Sequence, residues 1–153
     1  MLIQTKYFGD IELGEDKIIT FEQGLFGFEQ YKKYTILYDV EAGEEHTFSW
    51  LQCAECKELA LPVVNPLTIM DDYNPIINDE LLSGLGDIND ENLVVLLTMT
   101  VPKDLTKMTS NLKAPIIINA DTRQGAQIVV ENQDYEIRYN VYDAIQRKKG
   151  EQR

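Results

Sequence analysis

The sequence predicts an all-β, mostly antiparallel fold: a small β-barrel-like domain with one or two short helical insertions. Polar and apolar residues alternate with a period of two along most of the chain. Gly, Asn, Asp or Pro interrupts the alternation after roughly every ten residues, as tight turns between short strands do. Helix-period signal is scarce. Such strands either close into a barrel, which removes exposed edges, or pack as a sandwich.

Ten segments carry the strand pattern. In chain order they are Ile3 to Phe8, Asp10 to Leu13, Lys17 to Phe21, Thr35 to Val40, Thr47 to Ala54, Leu59 to Asn65, Asn92 to Val101, Pro115 to Ala120, Ala126 to Glu131 and Tyr135 to Val141. Each is bounded by residues that favour turns. We therefore expect short strands joined by tight connections.

Two segments depart from the alternation. In the first, an Asn or Asp caps a helix of one or two turns, leucines form an apolar stripe and a glycine ends it. These residues are Asn78 or Asp79, then Leu81, Leu82 and Leu85, then Gly84 or Gly86. The second segment, Pro102 to Asn111, predicts a short turn or 3₁₀ segment before the strand at Pro115.

The chain length of 153 residues suits one domain, which we place at residues 1–145, followed by a polar tail at 146–153.

Asp and Glu number 26 against 14 Lys and Arg, which gives a formal net charge of −12. The electric field of this negative charge repels polyanions, so we expect no direct binding of nucleic acid. It attracts a basic protein partner, and the alternative is that acidity only maintains solubility.

The amino-terminal residues and the apolar runs predict a cytoplasmic protein. The start of the chain has no basic region leading into a long apolar segment, unlike a signal peptide. The longest apolar run, Leu93 to Leu97, is far shorter than the ~20 residues that span a bilayer. We expect no membrane association.

The chain offers little for catalysis or metal binding. His46 is the only histidine and lies beside Glu44 and Glu45 in a predicted turn. Cys53 and Cys56 have the spacing of half a zinc site, yet no second pair completes four ligands. We expect no enzyme activity, no cofactor and no metal. A small enzyme or metal protein using His46 or the Cys pair remains the alternative hypothesis.

The stretch EQGLFGFEQYKKY, which begins at Glu22, contains two glycines among aromatic residues. It lacks the spacing and the lysine of phosphate-binding loops. Its glycines permit sharp turns, so the apolar residues either fill one end of the sheet or leave one or two side chains exposed at a protein interface. The glycines are Gly24 and Gly27, and the apolar residues are Leu25, Phe26, Phe28 and Tyr31.

The order of motifs resembles a known family. FEQGLFGFEQYKKY is followed by FSWLQC, by LALPVVNP with DDY soon after, and by SNLKAPIIINADTRQGAQIVVENQDYEIR. Together these are similar to the flagellar assembly factor family FliW over nearly the whole length. The most specific portion is NLKAPIIIN followed by Arg123, Gly125, Gln127 and the segment Tyr135 to Arg138. Family members often have proline at Phe26 and serine at Cys53, which favours a packing role for Cys53 over a ligand role.

The resemblance implies a β-barrel-like protein without catalytic activity that exchanges partners in the cytoplasm. FliW proteins bind flagellin through its carboxy-terminal helical region, and they bind CsrA, a basic regulator that represses translation of flagellin mRNA. Flagellin export frees the FliW protein, which then antagonises CsrA allosterically. A flagellin-specific secretion chaperone without CsrA regulation is the alternative. We expect the free protein to be a monomer.

The resemblance also gives candidate partner-binding residues. Asn65, Pro66, Asp72 and Tyr73 match the NP and DY positions of the family after a predicted strand, where a surface loop is a reasonable place for recognition. The alternative is a proline turn with Tyr73 packed over the end of the barrel. Further candidates are Phe26, Phe28, Glu44 and Glu45.

Overall fold

The computed structural model describes residues 1–38, 48–144 and 146. The predictions for Glu44, Glu45 and His46 fall outside these residues. The described strands are β1 (Leu2–Gln4), β2 (Asp10–Glu12), β3 (Ile19–Phe21), β4 (Lys33–Leu37), β5 (Phe48–Cys53), β6 (Ala60–Val64), β7 (Leu93–Thr100), β8 (Thr109–Ser110), β9 (Ile116–Asn119), β10 (Gln124–Gln127) and β11 (Tyr139–Asn140). Short 3₁₀ segments occur at Glu15–Lys17, Pro66–Thr68, Asp79–Leu85 and Leu105–Lys107.

Seven strands close into a barrel. Their order is β3, β4, β5, β6, β7, β9 and β10, and β10 pairs with β3 to complete the ring. The β10–β3 pairing is parallel, and the other six are antiparallel. The prediction of a mostly antiparallel barrel with short insertions is therefore confirmed. The alternative of a sandwich is excluded because the sheet returns to its first strand.

The interior of the barrel is filled by alternate residues of its strands. Phe21, Tyr34, Leu51 and Ile116 have no accessible side-chain surface. The rings of Phe21 and Tyr34 meet edge to face with centroids 5.4 Å apart, an arrangement that aromatic pairs prefer. A Cβ atom on Gly125 would lie 2.5 Å from the Phe21 ring, so the close approach of β10 to β3 requires glycine.

Two further apolar clusters cover the outer face of the barrel. On β7, Val94 and Leu96 contribute to the interior cluster, whereas Leu97 and Met99 face outward and belong, with Tyr73, to the first outer cluster. The second outer cluster forms where the 3₁₀ segment Asp79–Leu85 crosses the barrel; its buried members are Leu85, Ile117 and Ile128. The connection between β6 and β7 is thus part of the packed structure.

The hairpin of β1 and β2 lies outside the barrel and packs on β5. The rings of Tyr7 and Trp50 have centroids 4.5 Å apart. The backbone N–H of Lys6 donates to Oε1 of Gln52 over 3.0 Å. The predicted strand from Ile3 to Phe8 is shorter in the structure because Thr5 forms a turn: its hydroxyl donates to the Gly9 carbonyl and accepts from the Phe8 N–H.

The helical insertion is confirmed as the 3₁₀ segment Asp79–Leu85. Asn78 is its cap, because Oδ1 of Asn78 accepts from the N–H of Glu80 over 2.9 Å. Gly86 ends it with φ of 82°, a left-handed conformation that favours glycine. The predicted stripe is wrong in one member, since Leu81 is 52% exposed while Leu85 is buried.

Three other predicted boundaries differ from the structure. Strand β10 begins at Gln124, before the predicted start at Ala126, and ends at Gln127. Beyond it, the N–H groups of Ile128 and Val130 donate to the carbonyls of Pro115 and Lys113. The segment Tyr135 to Val141 contains only the two-residue strand β11. Strand β8 was missed, because it lies inside the range predicted as a turn.

Candidate functional site

Asn65 and Pro66 follow β6 and begin a tight turn. Oδ1 of Asn65 accepts from the N–H of Leu67 over 3.0 Å, which satisfies a donor that the 3₁₀ segment Pro66–Thr68 leaves free. Proline suits the first position of such a segment because its φ is already fixed there. Asn65 is exposed, Pro66 is buried and Leu67 is 54% exposed. The local sequence therefore turns Leu67 outward.

Tyr73 is packed, as in the second of the two alternatives for this residue. Its hydroxyl donates to the Leu112 carbonyl over 2.9 Å. Its ring stacks on Tyr135 with centroids 4.9 Å apart and an interplanar angle of 16°. Burial raises the pKa of the Tyr73 hydroxyl. Tyr73 is only 9% exposed, so any partner meets one edge of its side chain.

An apolar groove of about 260 Å³ opens beside Tyr73. Two of its leucines are well exposed, Leu67 at 54% and Leu93 at 40%. Pro66 and Pro75 stiffen the backbone of its walls. The groove is lined by Asn65, Pro66, Leu67, Tyr73, Pro75, Leu93 and Val95. Three of the predicted partner-binding residues therefore lie together in it.

A second groove, of about 310 Å³, is acidic. Asp72, Asp134 and Glu136 line it, all three are exposed, and none forms an ion pair with a Lys or Arg in the described part of the chain. Its remaining walls are Met70, Asn74, Ile76, Leu112, Asn132, Tyr135 and Tyr139. Unpaired carboxylates in a concave surface give this acidic groove a negative potential.

The two grooves share the segment 70–76. Tyr73 faces the apolar groove, while Asp72 and Asn74 on either side of it line the acidic groove. The N–H of Asn74 donates to the Tyr135 hydroxyl over 2.7 Å. The Asn132 side chain accepts from the N–H of Ile76 over 2.6 Å and donates to the Asn74 carbonyl over 3.0 Å. These bonds and the tyrosine stack hold both grooves in a fixed relation.

Phe26 and Phe28 lie elsewhere, in the connection between β3 and β4. Phe26 is 52% exposed, Phe28 is half-buried against the interior cluster, and Leu25 is buried. The structure thus supports the first alternative for this loop, since Leu25, Phe28 and Tyr31 pack in or against the interior cluster, while the Phe26 side chain is exposed. Neither phenylalanine lines the apolar or the acidic groove.

Comparisons with known proteins agree with this architecture. Residues 2–141 match the family model described as FliW protein. The chain belongs to the FliW family. It is 55% identical to the flagellar assembly factor FliW of Lachnoclostridium phytofermentans, over 97% of this chain and 95% of that protein. It is 49% identical to the flagellar assembly factor FliW of Lachnospira eligens, over 98% of this chain and all of that protein.

A solved structure of the same family has the same fold. The crystal structure of a flagellar assembly factor FliW superposes with a TM-score of 0.83 at 30% identity, covering 92% of this chain and 96% of that chain. The barrel and its outer clusters are therefore the FliW architecture, and both grooves lie within the matched range.

Cys53 and Cys56 show the environment of packed thiols. Cys53 is buried, and burial raises the pKa of its thiol, which disfavours the thiolate that metals and disulfide exchange require. Its sulfur accepts from the N–H of Glu55. Among the described residues, no group of three or more His, Cys, Asp or Glu is placed to hold a metal ion. The described helices also include none long and apolar enough to cross a membrane.

Sequence reasoning missed most of the groove walls. Leu93 and Val95 belong to a strand that was predicted, but alternation alone does not reveal that their outward side remains partly uncovered. Asp134 and Glu136 flank Tyr135 in the matched family segment. The Tyr73–Tyr135 stack and the hydrogen bonds of Asn74 and Asn132 bring them beside Asp72. The NP and DY positions lie near each other in the structure: Asn65, Pro66 and Tyr73 line the apolar groove, and Asp72 lines the acidic groove.

Proposed function

We propose that the protein is a flagellar assembly factor that binds flagellin and the translational regulator CsrA in the cytoplasm. It antagonises CsrA allosterically, so that flagellin mRNA is translated while flagellin is exported, and it needs no cofactor or catalytic step. The observation that carries the proposal is an apolar groove beside an acidic one in a chain of the FliW family. The named relatives supply the flagellar context.

The apolar groove suits one face of an amphipathic helix, such as the carboxy-terminal helical region of flagellin. Leu67 and Leu93 keep about half their side-chain surface in water. Covering such partly exposed leucines contributes roughly 1 kcal/mol each, because complete burial of a leucine contributes about 1.5–3 kcal/mol. The stiff walls reduce the entropy that binding costs.

The charge of the protein suits CsrA. A net charge of −12, with three unpaired carboxylates in the acidic groove, attracts a basic protein and raises its association rate at low salt. Glu44 and Glu45 lie outside the described residues and stay predicted partner-binding residues. The same charge repels RNA, so we propose that antagonism acts on CsrA itself.

Exchange between the two partners follows from linkage. The segment 70–76 forms a wall of both grooves, so a ligand that shifts it in one groove changes affinity in the other. Coupling is reciprocal: bound flagellin lowers the affinity for CsrA by the same factor as bound CsrA lowers the affinity for flagellin. We propose Asn65, Pro66, Asp72 and the edge of Tyr73 as contacts at this surface, with a monomer as the free protein.

Variants of one groove wall test the proposal. Leu93→Ser is expected to weaken flagellin binding about tenfold in a calorimetric titration, because it removes apolar surface from the contact. Leu105→Ser is the matched control, since Leu105 is 52% exposed and lines neither groove. Equal flagellin affinities of the two variants would contradict the assignment of the apolar groove to flagellin.

The charge argument has its own test. Asp134→Asn with Glu136→Gln is expected to lower the CsrA association rate and to flatten its dependence on salt. Unchanged salt dependence would contradict the role of the acidic groove. Binding of flagellin with no binding of CsrA by the unmodified protein would select the alternative function, a flagellin-specific secretion chaperone.

A further inference from the structure

The last seven residues of the sequence carry the opposite charge to the rest of the chain. We call residues 147–153 the basic tail. It contains Arg147, Lys148, Lys149 and Arg153 against Glu151, so its net charge is +3. Residues 1–146 therefore have a net charge of −15, because the whole chain has −12. A short basic segment attached to a strongly acidic domain is typical of an interaction tail.

The chain that leads to the basic tail is anchored beside the acidic groove. Residues 142–144 are helical, and Val141 and Ala144 are both buried in the first outer cluster. Tyr135 and Tyr139 pack against the same cluster and line the acidic groove. The basic tail thus begins three residues after a residue that shares its cluster with two walls of this groove.

The basic tail is long enough to reach the groove. Its first three cations lie three to five residues beyond Ala144. An extended chain spans about 3.3–3.6 Å per residue, so these positions lie within roughly 10–18 Å of Ala144, before the length of the side chains is added. Such a reach suffices to place lysine and arginine head groups in the acidic groove.

The charges around the acidic groove leave it negative. Its walls contain three carboxylates and no Lys or Arg. Four further charged residues are next in sequence to wall residues: Asp71, Lys113, Glu131 and Arg138. Two of these are acidic and two are basic, so they balance, and the Lys113 ammonium already donates to the Asn132 carbonyl. The groove therefore keeps the charge of its three carboxylates, which complements the +3 of the basic tail.

We propose that the basic tail occupies the acidic groove of its own chain in the free protein, and that a basic partner has to displace it. Exposed ion pairs are individually weak. Attachment to the same chain, however, gives the tail a roughly millimolar effective concentration at the groove. The tail is thus a weak competitor, which lowers the apparent affinity for a basic partner without blocking the site.

The competition part of the inference rests on the proposed function, because CsrA is the basic partner used as the probe. The contact between tail and groove does not depend on CsrA, so it is tested separately, on the 153-residue protein alone.

Carbodiimide crosslinking followed by peptide mass spectrometry tests the contact. The reagent joins a lysine amine to a carboxylate that it touches. We expect bonds within one chain from Lys148 or Lys149 to the three carboxylates of the acidic groove. About 1 M salt is expected to abolish them, because the Debye length falls to about 3 Å. Bonds from these two lysines only to other carboxylates, bonds only between two chains, or no bonds at all would overturn the inference.

Calorimetric titration with CsrA at physiological salt tests the competition. Neutralising the first three cations of the tail is expected to lower the dissociation constant about threefold, because the competitor is removed. The variant is Arg147→Gln with Lys148→Gln and Lys149→Gln. The matched control is Lys57→Gln with Lys103→Gln and Lys107→Gln, three exposed lysines that line neither groove.

Both variants change the net charge by the same amount, so the control measures the effect of charge alone. Its dissociation constant is expected to stay close to that of the unmodified protein. Equal gains in the two variants, or weaker CsrA binding by the tail variant, would overturn the competition. If the unmodified protein does not bind CsrA, the proposed function fails, while the crosslinks still decide whether the basic tail lies in the acidic groove. If CsrA binds and the crosslinks are absent, only the inference fails.

Discussion

Replacing Tyr73 by phenylalanine separates its structural role from any contact with a partner. The substitution keeps the ring and its stack on Tyr135 and removes only the hydroxyl, which donates to the Leu112 carbonyl over 2.9 Å in a buried position. Deleting one partner of a buried hydrogen bond leaves the other without compensation, at a cost of roughly 1–3 kcal/mol. For a chain of this size, about 2 kcal/mol lowers Tm by about 4–8 °C.

Thermal and urea unfolding followed by circular dichroism measure this effect. Tyr7→Phe is the control, since Tyr7 is 52% exposed and its hydroxyl forms no hydrogen bond among the described residues. Flagellin affinity is measured on the same samples at a temperature where both variants are folded, and it is expected to be unchanged. A Tm equal to that of the unmodified protein would contradict a stabilising hydrogen bond from the Tyr73 hydroxyl, and a loss of flagellin affinity without a loss of stability would contradict its structural role.

Two other predictions concern the loop glycines and pH. Gly24→Ala is expected to lower the free energy of unfolding in urea by about 2–4 kcal/mol, because φ at Gly24 is 68° and the new Cβ would lie 2.6 Å from Cα of Glu29. Gly84→Ala is the control, because the space around Gly84 is open. Equal stabilities of the two variants would contradict the prediction. Burial raises the pKa of Tyr34 and Tyr73 above the ordinary 10.0. The folded state therefore holds these protons more tightly. The free energy of unfolding, measured by urea titration, is expected to stay level up to about pH 10 and then to fall by up to about 1.4 kcal/mol per pH unit for each tyrosine. A free energy of unfolding that stays level through pH 11 would contradict this.

Alternation predicted the strands whose two sides differ in polarity. In β5, Leu51 and Cys53 face the interior while Gln52 faces the β1–β2 hairpin, so the period of two is visible in the sequence. Closure of the barrel was expected only in general terms. It depends on the parallel pairing of Gln124 with Thr20, about a hundred residues apart, which no local pattern encodes. Strand β8 was missed because two residues are too few to show a period.

The candidate site was predictable only where the family motifs mark it. Asn65 and Tyr73 were identified, and the structure brings them together at the apolar groove. The role of Tyr73 within that surface required the structure, since its hydrogen bond and its stack join residues 39 and 62 positions away along the chain. The exposure of Leu93 likewise depends on which segment covers β7, and that is a tertiary property.

We propose that one protein exchanges flagellin and CsrA through linked surfaces. The most direct test is a calorimetric titration with each partner, first alone and then with the other already bound. Both partners are expected to bind the free protein, and each is expected to weaken binding of the other by the same factor. Binding of flagellin with no binding of CsrA, or binding of both with unchanged affinities, would contradict it.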